Sequence, residues 1–228
     1  MPDMCGRFTI ITPVEKLIEE FEAQMFEDTF FPNYNAYPGQ KLPVITNELP
    51  SKINLYVWGL IPYWAKDSAI GFKLINARAE TLMEKDSFKN AVKRRRCLVL
   101  ADSYYEWKKA GKLKIPYRIL LKNEKPFALA GIWETWRDRD NKEIRTFSII
   151  TTKANPLTEG IHDRMPCLLD KRSRALWLNN TVPEAQALNL LKPYPSEEMK
   201  YYEISTLVNS PDNNTPAVIE PVESYKLL

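Results

Sequence analysis

Six segments rich in β-branched and aromatic residues fill the middle of this chain, and they constrain its fold more than any other feature. They are residues 42–46, 53–60, 97–107, 117–121, 127–136 and 146–152, most of them bounded by polar or glycine/proline breaks. Several strands with only scattered helical stretches predict an α+β fold, a strongly curved, largely antiparallel and barrel-like sheet with peripheral helices. Thr12-Pro13-Val14-Glu15 reads as a capping box with proline at the first helical position. Val14, Leu17, Ile18 and Phe21 then repeat at helical spacing. Further helices are predicted at 87–93, 172–178 and 183–191.

The chain of 228 residues carries no internal repeat or low-complexity linker, so a single domain over 1–228 is expected. Its 17 prolines against 7 glycines imply many fixed loops. The three cysteines, Cys5, Cys97 and Cys167, form no CxxC pair, which disfavours both a disulfide framework and a zinc site. With no signal-like or membrane-spanning apolar run, the reading is a soluble, cytoplasmic, monomeric protein without a metal or cofactor. A net charge of only +3 does not identify a nucleic-acid binder, so any DNA-binding charge must be local.

Four residues stand out as chemistry-bearing. His162 is the one histidine and lies in a polar, loop-like stretch; a lone histidine is equally well a hydrogen-bonded structural residue. Cys5, near the start, is by itself an ordinary small apolar residue. Glu106, between Tyr105 and Trp107, either faces a partly buried pocket or decorates the surface of an alternating strand. Asn76 sits in Ile75-Asn76-Ala77-Arg78.

The surroundings of these residues resemble the SOS-response-associated peptidase (SRAP) family. Cys5-Gly6-Arg7-Phe8, Trp58-Gly59-Leu60-Ile61-Pro62-Tyr63-Trp64-Ala65, Asn76-Ala77-Arg78-Ala79-Glu80-Thr81, Tyr105-Glu106-Trp107 and His162-Asp163-Arg164-Met165-Pro166 match its motifs in order, and Val208-Asn209-Ser210-Pro211 fits its C-terminal end. Each motif is weak alone; their order over nearly the whole chain is specific. The resemblance implies Cys5, Asn76, Glu106 and His162 as the functional positions. It also implies a self-processing reaction that exposes Cys5 as the first residue, followed by thiazolidine formation with the open aldehyde of an abasic site in single-stranded DNA.

Elementary chemistry explains why that cysteine must be terminal. An α-amine titrates at about 7.7–8.0, so a useful fraction is neutral near pH 7, whereas a lysine at about 10.4 is protonated. The amine forms a Schiff base, and the thiol on the same residue closes the ring with an intramolecular advantage. In this scheme Glu106 takes a proton from the amine, His162 protonates the sugar ring oxygen, and Asn76 holds the reacting centre. The same residues would drive self-cleavage with Cys5 as nucleophile. Met1-Pro2-Asp3-Met4 precede Cys5, so either translation starts at Met4 or the Met4–Cys5 bond is cut.

Candidate phosphate contacts are Arg7, Arg78, Arg164 and the 93–96 basic run with Arg94 and Arg95; Arg164 alternatively orders the His162 loop or pairs with an acid. Candidate base-facing surfaces are Pro38, Trp58 and Trp64, while Trp133, Trp136 and Trp177 are assigned to the core. Two other readings stay open: a conventional cysteine peptidase acting on other proteins, and a non-covalent single-strand binder.

Overall fold

The computed structural model describes residues 5–25 and 31–222. The strands in chain order are β1 (Phe8–Ile10), β2 (Gln24–Met25), β3 (Asn33–Ala36), β4 (Lys41–Thr46), β5 (Lys52–Trp58), β6 (Asn76–Arg78), β7 (Arg96–Ala101), β8 (Ser103–Ala110), β9 (Leu113–Leu121), β10 (Phe127–Arg137), β11 (Glu143–Lys153), β12 (Arg164–Pro166), β13 (Leu168–Leu169) and β14 (Met199–Glu203). The helices are α1 (Val14–Phe21), α2 (Lys89–Arg94), α3 (Lys171–Leu178) and α4 (Glu184–Leu188). Among the described residues, no helix is long and apolar enough to cross a membrane.

The larger sheet closes on itself. Antiparallel pairs join β5 to β4, β4 to β7, β7 to β10 and β10 to β11, and a parallel pair, Val57 with Thr146, returns β11 to β5. Closure removes the exposed edges that an open sheet would present. The second sheet runs β14-β9-β8-β1-β3. Phe8 of β1 packs against Trp58 of β5 with ring centroids 5.0 Å apart, and Trp58 stacks on Phe147 of β11 at 6.3 Å. One apolar core therefore spans both sheets. All six residues of β7 are buried, because neighbouring elements cover both of its faces; after Arg96 its sequence, Cys97 to Ala101, reads as a continuous apolar run for that reason.

The predicted 97–107 strand is two strands, broken at Asp102. The Asp102 carboxylate accepts hydrogen bonds from the backbone N–H groups of Ile11 and Thr12 and from the Thr12 hydroxyl. Those bonds pin the chain where it passes from the barrel into the second sheet. They also overturn the capping box: Thr12 spends its hydroxyl on Asp102, and Pro13 occupies the helix N-cap without a side-chain bond. Helix α1 stands on its apolar stripe, with Leu17 buried. The short strands β1, β2, β3, β6, β12, β13 and β14 escaped the sequence reading, since two to five residues give no measurable period.

Candidate active site

Strand β8 alternates faces across the second sheet. Tyr105 turns into a small cluster with Ile204, Val208 and Val218, and its hydroxyl donates to the Tyr34 carbonyl. Glu106 turns the other way, is 4% exposed, and accepts a hydrogen bond of 2.7 Å from the Cys5 thiol. The carboxylate is thus a pocket group, not a surface one. Burial raises its proton affinity above that of an ordinary glutamate, although the Cys5 thiol and nearby His162 act in the opposite sense. Burial likewise pushes the Cys5 thiol well above its usual value, and the Glu106 charge adds to the effect. Both groups lie in a medium that disfavours charge on either of them.

Strand β6 exists to bring Asn76 to this pair. Gly59 follows β5 at φ +123°, and a Cβ there would sit 2.8 Å from the Gly71 carbonyl oxygen, so only glycine lets the 60–75 loop fold back so closely. The Trp58 indole N–H donates to the Ile75 carbonyl at 2.9 Å, and β6 then pairs in parallel with β11. Asn76 Nδ2 donates to the Cys5 carbonyl at 3.1 Å, while its buried Oδ1 has no partner among the described residues. The Trp58-Gly59-Leu60 motif is therefore architecture. Trp58 is 1% exposed and fully packed, which corrects its assignment as a base-facing surface.

His162 is partly buried and lines the cleft above Glu106. Its Nδ1 accepts from the Arg164 backbone N–H at 3.0 Å, and the exposed Asp163 carboxylate lies 3.1 Å from the same nitrogen. Arg164 braces this loop. Its guanidinium donates to both Glu80 oxygens, at 2.8 and 2.9 Å, and to the Thr151 carbonyl at 2.7 Å. Those bonds hold the Glu80 carboxyl below its ordinary value. Of the roles weighed for Arg164, ordering the His162 loop and pairing with an acid are both observed; its fork is committed to protein and not to phosphate. Glu80, inside the Asn76–Thr81 motif, is the partner that the sequence did not single out.

The cleft above Cys5 encloses about 340 Å³ and is lined by Arg7, Tyr37, Pro38, Phe72, Glu106, Trp107 and His162, among others. Arg7 is fixed by Asn35 Oδ1 at 2.9 Å and the Val208 carbonyl at 3.2 Å, with its guanidinium 5.7 Å from the Tyr37 ring centre. Trp107 is held by Asn209. The C-terminal Val208-Asn209-Ser210-Pro211 stretch thereby shapes the cleft wall, a role that its motif alone did not reveal. Phe72, which lines the cleft, is 64% exposed, and Trp64, earlier on the same 60–75 loop, is 48% exposed. Arg78 is exposed and lines a neighbouring polar groove with Lys153 and Asp163.

The 93–96 run does not join this site. Arg95 pairs with Glu134 at 2.8 Å, Arg96 is buried with its guanidinium on the Trp177 and Asn179 carbonyls, and neither they nor the exposed Arg94 line the cleft. Trp133, Trp136 and Trp177 are buried, as assigned. A roomier cavity of about 600 Å³, bordered by Phe21, Ile45, Leu98 and Arg174, contains none of the four chemistry-bearing residues. The Met4–Cys5 bond lies outside the described residues.

Comparison with known proteins supplies the family. The sequence profile of the SOS response associated peptidase (SRAP) family matches residues 4–211. Abasic site processing protein YoqW of Bacillus subtilis is 47% identical, over 95% of this chain and 99% of its own. Abasic site processing protein HMCES of Gallus gallus is 32% identical, over 86% of this chain and 68% of its own. A crystal structure of a protein from Bacteroides thetaiotaomicron superimposes with a TM-score of 0.88 at 31% identity, covering 96% of this chain and all of that one. Sequence order, fold and relatives agree: this chain belongs to the SRAP family.

Proposed function

We propose that this protein processes abasic sites in single-stranded DNA by bonding covalently to the open sugar through Cys5. The observation that carries the reading is the buried 2.7 Å contact between the Cys5 thiol and Glu106 at the foot of an open cleft. The names of the relatives supply the substrate class.

The reaction starts with hydrolysis of the peptide bond before Cys5, which consumes one water and frees the α-amine. Glu106, with its raised proton affinity, is suited to take the thiol proton as Sγ attacks the carbonyl of residue 4; the peptide C–N bond breaks as that proton passes to nitrogen, and the water then hydrolyses the resulting thioester, returning the Cys5 thiol and leaving a carboxyl group on residue 4. The freed amine then condenses with the sugar aldehyde and releases water, leaving a carbon–nitrogen double bond. The thiol adds across it: sulfur goes to carbon, the proton returns to nitrogen, and a thiazolidine closes. Asn76 would fix the Cys5 carbonyl through its Nδ2, and its buried, unpartnered Oδ1 would accept from the freed amine N–H. His162 is suited to deliver the proton that opens the sugar ring. Arg7 and Arg78 would take phosphates, while Pro38 and Trp64 would face bases.

The test is incubation with abasic single-stranded DNA followed by denaturation. A shifted band that Cys5→Ala abolishes, together with an intact mass beginning at Cys5, supports the reading. DNA retention that survives denaturation in Cys5→Ala, or multiple-turnover cleavage of unrelated peptides, refutes it.

A further inference from the structure

The net charge of +3 is not spread over the molecule. Residues 107–116 carry four lysines and no acid, a local charge of +4, so the rest of the chain sums to −1. Strands β8 and β9 raise this charge as a stiff hairpin. Ala110 pairs with Leu113, Gly111 takes φ +62° and Lys112 follows at negative φ, the pattern of a tight two-residue turn with glycine first. The residues from Lys108 to Lys114 are all exposed. Three strand steps carry the backbone about 10 Å beyond Trp107.

Lys109 and Lys114 lie directly opposite each other across the ladder, a like-charge pair that disfavours the hairpin. Both line the cleft that contains Glu106 and His162. Lys112 sits at the tip beside Leu113, which is 69% exposed. A rim that concentrates positive charge, continuous with the reactive cleft, suits a polyanion that leaves the cleft along it.

We propose that the β8–β9 hairpin is a phosphate-binding arm that holds the DNA strand beyond the reactive nucleotide. Lys108, Lys109, Lys112 and Lys114 contact backbone phosphates, and Leu113 packs against a sugar or base. The inference rests on the proposed DNA reaction for its ligand, but its own readout is electrostatic and separable from the chemistry.

The experiment uses the full chain with Lys108, Lys112 and Lys114 all changed to serine, and a second variant, Lys112→Glu, at the exposed turn. Undamaged single strands are titrated by anisotropy at several salt concentrations, and crosslinking rates are measured on a long and a short abasic strand. Each lost phosphate contact on a single strand lowers the salt slope by about 0.7, so the triple variant should lose roughly 2 from it. Between about 50 and 200 mM salt, wild-type affinity should then fall roughly 15–20-fold more than that of the variant. The ratio of long-strand to short-strand crosslinking rates should drop, and Lys112→Glu should move both readouts in the same direction. A normal salt slope and rate ratio in folded variants would overturn the proposal and would point the hairpin towards an acidic protein partner. Wild-type protein that shows the predicted slopes but never crosslinks would refute the chemistry and leave the arm standing.

Discussion

Two tryptophans six residues apart, Trp58 and Trp64, belong to one sequence motif and should respond oppositely to truncation. Trp58 is 1% exposed, stacked on Phe147, and bonded through its indole to the Ile75 carbonyl. Trp58→Ala removes a buried aromatic side chain, which costs about 3–5 kcal/mol. For 228 residues the unfolding entropy is about 480 cal/mol/K, so each kcal/mol moves the melting temperature by about 2 °C. The expected loss is therefore roughly 6–10 °C. Trp64, 48% exposed, should change the melting temperature by about 1 °C at most on truncation. If it stacks on a base, Trp64→Ala should weaken single-strand binding by about 1–3 kcal/mol, or roughly 5- to 150-fold. Thermal melts and anisotropy titrations on both variants check the pair. A Trp58→Ala protein that melts within about 2 °C of wild type but loses DNA affinity would refute the structural assignment.

Three further substitutions probe the site. Glu106→Gln should abolish crosslinking yet raise thermal stability at neutral pH: the folded state raises the proton affinity of Glu106, so the stability it contributes is present below the ordinary glutamate value and is lost as pH rises. The melting gap between variant and wild type should thus widen from pH 4 to pH 7, and a gap independent of pH would remove buried Glu106 as its cause. Glu80→Gln should behave in the reverse sense. Arg164 lowers the Glu80 carboxyl, so its contribution is present above the ordinary value and disappears as pH falls through the lowered one. Melts across acid pH test the sign, and crosslinking should slow because the His162 loop loses its brace; an unaffected rate would confine Glu80 to stability. Asn76→Ala deletes one hydrogen bond to the Cys5 carbonyl and should slow crosslinking up to about tenfold without unfolding the protein, as single-turnover rates and a melt would report; a native rate would exclude Asn76 from positioning Cys5.

The sequence by itself determined the strand-rich class and the family. The 42–46, 117–121 and 127–136 segments are strands because their apolar and β-branched residues can be covered only on a pleated surface, and the ordered motifs around Cys5, Asn76, Glu106 and His162 survive as written text. Only the tertiary structure decided which side of each residue matters. Cys5 and Glu106 are 101 positions apart and meet because β1 pairs with β8. Arg164 looked like a phosphate ligand until Glu80, 84 positions away, took its fork. Trp58 and Trp64 are equivalent letters in a motif; barrel closure between β5 and β11 buries the first and leaves the second on a loop. Local patterns record which residues prefer to be covered. What covers them, and which polar groups must then pair, depends on contacts between distant segments, and no window of sequence contains both partners.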